Sequence, residues 1–138
     1  MEILTERKGL PRELWEKIHT SKQEVTRDII SKFCTVDDEK VEMMRLLKRN
    51  YKIGVCSNAV RATVELMLEK SGLMPYVDFY LSNQDVQHPK PQPDIYLKAF
   101  EKLNMRPEEC VIVEDSNVGK RAALDSGGVL CSVNGAHE

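Results

Sequence analysis

No apolar run in this chain approaches the roughly 18 residues that a membrane-spanning helix requires, which argues against a membrane span. The opening stretch, MEILTERKGLPRELWEK, lacks the apolar centre of a signal peptide. A strong excess of one charge is also missing. The formal net charge is −2, which gives no electrostatic case for a nucleic-acid partner. Internal repeats and low-complexity tracts are absent. The four cysteines, Cys34, Cys56, Cys110 and Cys131, are widely separated, with no CxxC pair and no zinc-ligand spacing. Cys56, Cys110 and Cys131 lie in apolar, strand-like runs and read as small buried hydrophobes. Together these features imply a reducing, cytoplasmic setting.

What is present is an ordinary globular composition. The chain has 138 residues, 41% of them hydrophobic and 30% charged, enough for one domain. The first third has helical spacing: Pro11 suits a first turn, Leu14 and Ile18 lie four apart, and Val25, Ile29 and Phe33, with Ile30 beside them, form a stripe. After CTVDDEK, a further helix is predicted from about Asp38 to Asn50, with Val41, Met44 and Leu47 inward. The pattern then changes. YKIGVCS, VDFYLS, CVIVE and GVLCSV are short and nearly continuously apolar, like strands covered on both faces. Between them lie AVRATVELMLEKSG, a helix starting near Pro93 and Asp94, and VGKRAALDSG. Strand–helix alternation of this kind predicts an α/β fold, a Rossmann-like parallel sheet with flanking helices. We divide the chain into a helical segment, residues 1–35, and an α/β core, residues 36–138.

In open parallel sheets the binding crevice lies at the carboxyl ends of the strands. Ser57 and Asn58 follow the first core strand. They read either as a helix N-cap or, with the N–H groups of the next helix, as an anion cradle. Lys90 lies in HPKPQPD, where prolines restrict the backbone, and its ammonium can pair with a phosphate or a carboxylate. His88, beside it, reads as an exposed loop residue. Glu114 and Asp115 end the third strand. They are hard oxygen donors suited to Mg²⁺, or acidic residues favoured at a helix start. Ser/Asn, Lys and Glu-Asp thus fall after three successive predicted strands, as a phosphate donor, a cation and a metal-ligand pair.

From about Val41 to Val133, with VCSNA, HPKPQPDIY and VIVEDSNVGKRAALDSGG as its motifs, the sequence resembles the haloacid dehalogenase-like hydrolases. The likeness is greatest to the helical-cap phosphatase and phosphoglucomutase branch. The resemblance implies that Ser57 and Asn58 bind a transferring phosphoryl group and that Lys90 neutralises its charge. It implies further that Glu114 and Asp115 hold Mg²⁺, and that residues 1–35 belong to the helical cap. The implied substrate is a small phosphorylated metabolite.

The family's first motif, Asp-x-Asp on a central strand, has no counterpart here. Asp28 falls in a helical pattern, Asp37-Asp38 in a connection, and MEIL carries no aspartate. The missing strand would belong between YKIGVCS and CVIVE, so a gap is expected there. Phosphoryl transfer through a phospho-aspartate needs that nucleophile, so this chain is expected to show little or no turnover. It is expected either to be a fragment or truncated product of a longer hydrolase, or to be a non-catalytic protein. In the second case it would bind a phosphorylated ligand or take a strand from a partner or a second copy.

Overall fold

The structure is a computed structural model, and it describes residues 12–134. Pro11 and the MEIL stretch lie outside the described residues. The elements run in the order α1 (Arg12–Phe33), α2 (Asp38–Lys48), β1 (Gly54–Cys56), α3 (Arg61–Lys70), β2 (Phe79–Leu81), α4 (Asp94–Leu103), β3 (Val111–Glu114), α5 (Asn117–Ser126) and β4 (Val129–Ser132). The sequence-predicted α/β alternation is therefore present, with strands of three or four residues rather than five to seven.

Local chemistry explains the element ends. Asp37 caps α2 by accepting from the amides of Glu39 and Lys40, at 3.1 and 3.4 Å, so this aspartate has a structural task. Lys48, in the last turn of α2, pairs with Asp78, whose second oxygen accepts from Ile53 N at 2.7 Å and fixes the entry to β1. Gly72, past the end of α3, has φ +76°, and Asn104 closes α4 in the same left-handed region at φ 53°. Ser116 caps α5 by accepting from Gly119 N at 3.1 Å.

The strands form two separate parallel pairs. β1 pairs with β2 in the register Gly54–Phe79, Val55–Tyr80 and Cys56–Leu81. β3 pairs with β4 from Val111–Val129 to Glu114–Ser132. β1 and β3 are not hydrogen-bonded to each other, so the gap expected between them is present among the described residues. One core nevertheless spans both pairs. Leu81 of β2, Ile95, Tyr96, Ala99 and Phe100 of α4, Cys110 and Ile112 at β3, and Ala122 and Ala123 of α5 are buried together.

Three expectations need correction. The strands are not covered on both faces: Ile112 is buried, but Val111 and Val113 are 67% and 64% exposed. The helices that β3 touches, α4 and α5, both lie on the Ile112 side. Cys131 is exposed rather than buried, because it follows the same outward alternation on β4. On α2, Val41 and Met44 are half-buried as predicted, but Leu47 is exposed. α1 is a single helix that packs on α3, where Thr63 Oγ1 meets Gln23 at 3.5 Å. Its Val25–Ile29–Phe33 stripe faces outward. No helix among the described residues is long and apolar enough to cross a membrane.

Candidate active site

The site lies at the carboxyl ends of β1 and β3, on either side of the gap. Lys90 crosses it. Its Nζ donates to the Cys56 carbonyl oxygen at 2.9 Å and to Glu114 Oε2 at 3.0 Å, tying the last residue of β1 to the last residue of β3. The side chains of Lys90 and Glu114 are 8% and 10% exposed. An ion pair this deeply placed persists only when its remaining lone pairs and protons are satisfied.

Those partners are present. Tyr96, on α4, donates its hydroxyl to Glu114 Oε2 at 2.6 Å, and its ring centroid lies 5.3 Å from Lys90 Nζ. Glu114 Oε1 accepts longer contacts from Asp115 N at 3.2 Å, Ser116 N at 3.4 Å and Ser116 Oγ at 3.2 Å. On its other side Glu114 is walled by α5: a Cβ on Gly119 would stand 2.0 Å from its carboxyl carbon. Burial alone would raise the Glu114 carboxyl. Hydrogen bonds from Tyr96 and Lys90, with the charge of Lys90, outweigh burial and hold it down at about 2. Burial, then the hydrogen bond to Glu114 and its charge, pushes the Tyr96 phenol well above its usual range, so the hydroxyl stays a donor. Burial also pushes the Cys56 thiol up to about 12, against the opposing charge of Lys90, which makes it inert as a nucleophile.

The loop bearing Lys90 is fixed from two sides. Asn58 donates from Nδ2 to the Lys90 carbonyl at 3.2 Å and accepts from Lys90 N at Oδ1 at 3.0 Å. Upstream, Asp85 accepts from Ser82 N and Ser82 Oγ, at 2.7 and 3.0 Å, and pairs with Arg61 at the start of α3. The Lys90–Pro91 peptide is cis. His88 is exposed, as predicted, and lies 3.1 Å from Asp94.

Of the residues singled out in the sequence, the structure brings Asn58, Lys90 and Glu114 into one hydrogen-bonded chain. Ser57 leaves β1 beside them, its amide donating to Leu81 O at 3.0 Å and its hydroxyl accepting from Ala59 N at 3.1 Å. The N-cap of α3 is Val60, with no side-chain cap bond, so neither Ser57 nor Asn58 serves as the helix cap. Asp115 is exposed, and its carboxylate has no partner among the described residues. Sequence reasoning missed Tyr96. Its place beside Ile95 and one turn before Ala99 and Phe100 reads as core packing, and only the fold reveals where its hydroxyl points.

Glu114 and Asp115 suit a hard divalent cation by donor type. Asp115 has free oxygens, and Glu114 can offer Oε1, whose contacts are long, while Oε2 is committed to Lys90 and Tyr96. No group of three or more His, Cys, Asp or Glu among the described residues is placed to hold a metal, so the described residues supply these two carboxylates alone.

A pyrophosphatase PpaX from Bacillus cereus is 34% identical over 103 residues, covering 74% of this chain and 48% of its own length. The chain thus spans about half the length of that curated relative. A HAD hydrolase, family IA, variant 3, from Entamoeba histolytica superposes with a TM-score of 0.78 at 25% identity, over 90% of this chain and 57% of that one. CbbY from Rhodobacter sphaeroides, solved in complex with phosphate and with xylulose-(1,5)bisphosphate, gives a TM-score of 0.65 at 28% identity, over 70% of this chain and 46% of that one. Residues 3–133 match the sequence profile described as haloacid dehalogenase-like hydrolase. With a family match over nearly the whole chain and an α/β core of the same kind, the protein belongs to the haloacid dehalogenase-like hydrolases.

Proposed function

We propose that the crevice at the ends of β1 and β3 is a phosphoryl-binding site. In the longer hydrolase it would serve a Mg²⁺-dependent phosphatase or phosphomutase acting on a small phosphorylated metabolite. The single observation that carries this reading is Lys90. A buried ammonium, held at the junction of two strand ends beside a carboxylate pair, presents positive charge where a phosphoryl group would sit. The phosphate and bisphosphate complexes of the similar CbbY support the ligand class.

The geometry supports the following roles. Ser57 offers its hydroxyl to a phosphate oxygen, while the first amide of α3, Arg61 N, is already committed to Gln84 Oε1 at 2.8 Å. Lys90 neutralises charge, with its direction fixed by Cys56 O and Glu114. Glu114 and Asp115 would hold Mg²⁺, which when bound supplies charge stabilisation at the phosphoryl oxygens. Residues 1–35 we assign to the helical cap. Covalent transfer requires an aspartate nucleophile. The 138 residues contain no Asp-x-Asp, so this chain is expected to bind phosphate without efficient turnover.

Titration with inorganic phosphate, with and without Mg²⁺, tests the site. Binding should weaken about tenfold or more in Ser57→Ala, the worth of one hydrogen bond to a charged group. A wild-type chain that binds no phosphate at millimolar concentration overturns the reading. In a p-nitrophenyl phosphate assay with Mg²⁺, robust turnover abolished by Asp115→Asn would overturn the claim of low activity.

The gap itself favours a second reading, a non-catalytic protein that accepts a strand between β1 and β3 from a partner or a second copy. Facing strand edges without a partner are templates for pairing. Static light scattering tests the second-copy form: a monomer at all concentrations removes it.

A further inference from the structure

Tyr96 is 5% exposed on the buried face of α4, among Ile95, Ala99 and Phe100, yet its polar atom is not directed at the helix or at solvent. It reaches Glu114, on another element, at 2.6 Å. A carboxylate has about four lone-pair sites, and Glu114 receives five donors, split unequally between its oxygens. Oε2 takes the two close ones, Lys90 Nζ and the Tyr96 hydroxyl; Oε1 takes the long contacts of the Asp115–Ser116 turn. The carboxylate could otherwise rotate and present either edge to Lys90. Gly119 closes one side of the space, and the Tyr96 hydroxyl is the only neutral side-chain donor on Oε2 among the described residues.

We propose that Tyr96 is a positioning residue of this site. Its hydroxyl holds Glu114 in the one orientation in which Oε2 faces Lys90 and Oε1 faces Asp115, and through Glu114 it fixes the Lys90 ammonium at the end of β1. The aromatic face beneath Lys90 adds a second constraint on the same cation. The inference deepens the phosphoryl-site reading and rests on it for its purpose, because a fixed ammonium matters only if an anion is to meet it.

The test reads Lys90 directly. In ¹H–¹⁵N spectra of the whole chain, the Lys90 ammonium should give a slowly exchanging correlation, assigned by its loss in Lys90→Met. The correlation should broaden away in Tyr96→Phe, which keeps the ring and removes the hydroxyl, and phosphate binding should weaken several-fold. Ala99→Gly, a packing change one turn along α4, should lower the melting temperature and leave the correlation intact. The proposal is overturned if Tyr96→Phe keeps the wild-type Lys90 exchange rate, if Ala99→Gly abolishes the signal equally, or if the wild type shows no protected ammonium. Should Tyr96→Phe fail to fold, the unmutated chain still decides: the Tyr96 hydroxyl proton must exchange slowly, and a fast-exchanging one sinks the idea. Failure of the wild type to bind phosphate would overturn the phosphoryl reading separately, and the Lys90 comparison would still judge Tyr96.

Discussion

Position 119 has no side chain because Glu114 occupies the space where one would be. A methyl group there would meet the carboxyl carbon at 2.0 Å. Gly119→Ala therefore forces Glu114 off its partners and leaves Lys90 buried without its counterion. The expected cost is about 3 kcal/mol, the scale for breaking a buried pair. Urea denaturation of the variant checks this, and a loss below about 1 kcal/mol would show that the carboxylate has room to move. At this scale the sequence was partly legible. Glu114 and Asp115 stood out because they end an apolar strand run, and Lys90 because prolines flank it. Asn58 also stood out, but the sequence offered a helix cap or a phosphate ligand. The side chain instead spends both its polar atoms on the Lys90 backbone. Tyr96 was illegible, since its contact depends on a residue eighteen positions away on another element.

At the scale of elements, β3 shows what an apolar run does and does not say. VIVE reads as a strand buried on both sides, yet Ile112 alone turns into the core while Val111 and Val113 face outward. Composition reports what a strand is fit to pack against, and only the surrounding elements decide whether anything lies there. Ile112→Ala should cost about 3 kcal/mol through lost burial and the cavity left behind. Val113→Thr should cost under about 1 kcal/mol, because its side chain is already in water. Chemical denaturation of both variants measures the contrast, and comparable losses would mean that the outer face is covered. The helices were more legible than the strands. α4 and α5 carry their buried residues at helical spacing and end at left-handed caps, Asn104 and Gly127. The strands' lengths are set by pairing partners that no local pattern reveals.

For the molecule as a whole, two small sheets share one interior. α4 packs against β1 and against α5, so its buried face belongs to both halves. Lys90 adds a polar tie across the same division. Neither pair of strands has a complete core of its own, which predicts one cooperative thermal transition by circular dichroism rather than two. Two resolved steps, or a gradual slope, would show that the halves unfold apart. The parallel crossover order was legible from the strand–helix alternation. The separation of β1 from β3 was legible only through the family resemblance, because nothing in either strand's own residues marks an unpaired edge.

The reciprocal amide pair between Asn58 and Lys90 has a consequence for any anion that arrives. A side-chain amide here imitates a peptide group and stitches the turn after β1 to the proline-rich loop as adjacent strands are stitched. The stitch ties the turn that carries the Ser57 hydroxyl to the loop that carries the Lys90 ammonium, so the two donors belong to one frame. At the proposed phosphoryl site the ordering cost therefore falls on folding rather than on capture. Association should accordingly be quick and need little rearrangement, and the loop should behave as part of the scaffold rather than as a door.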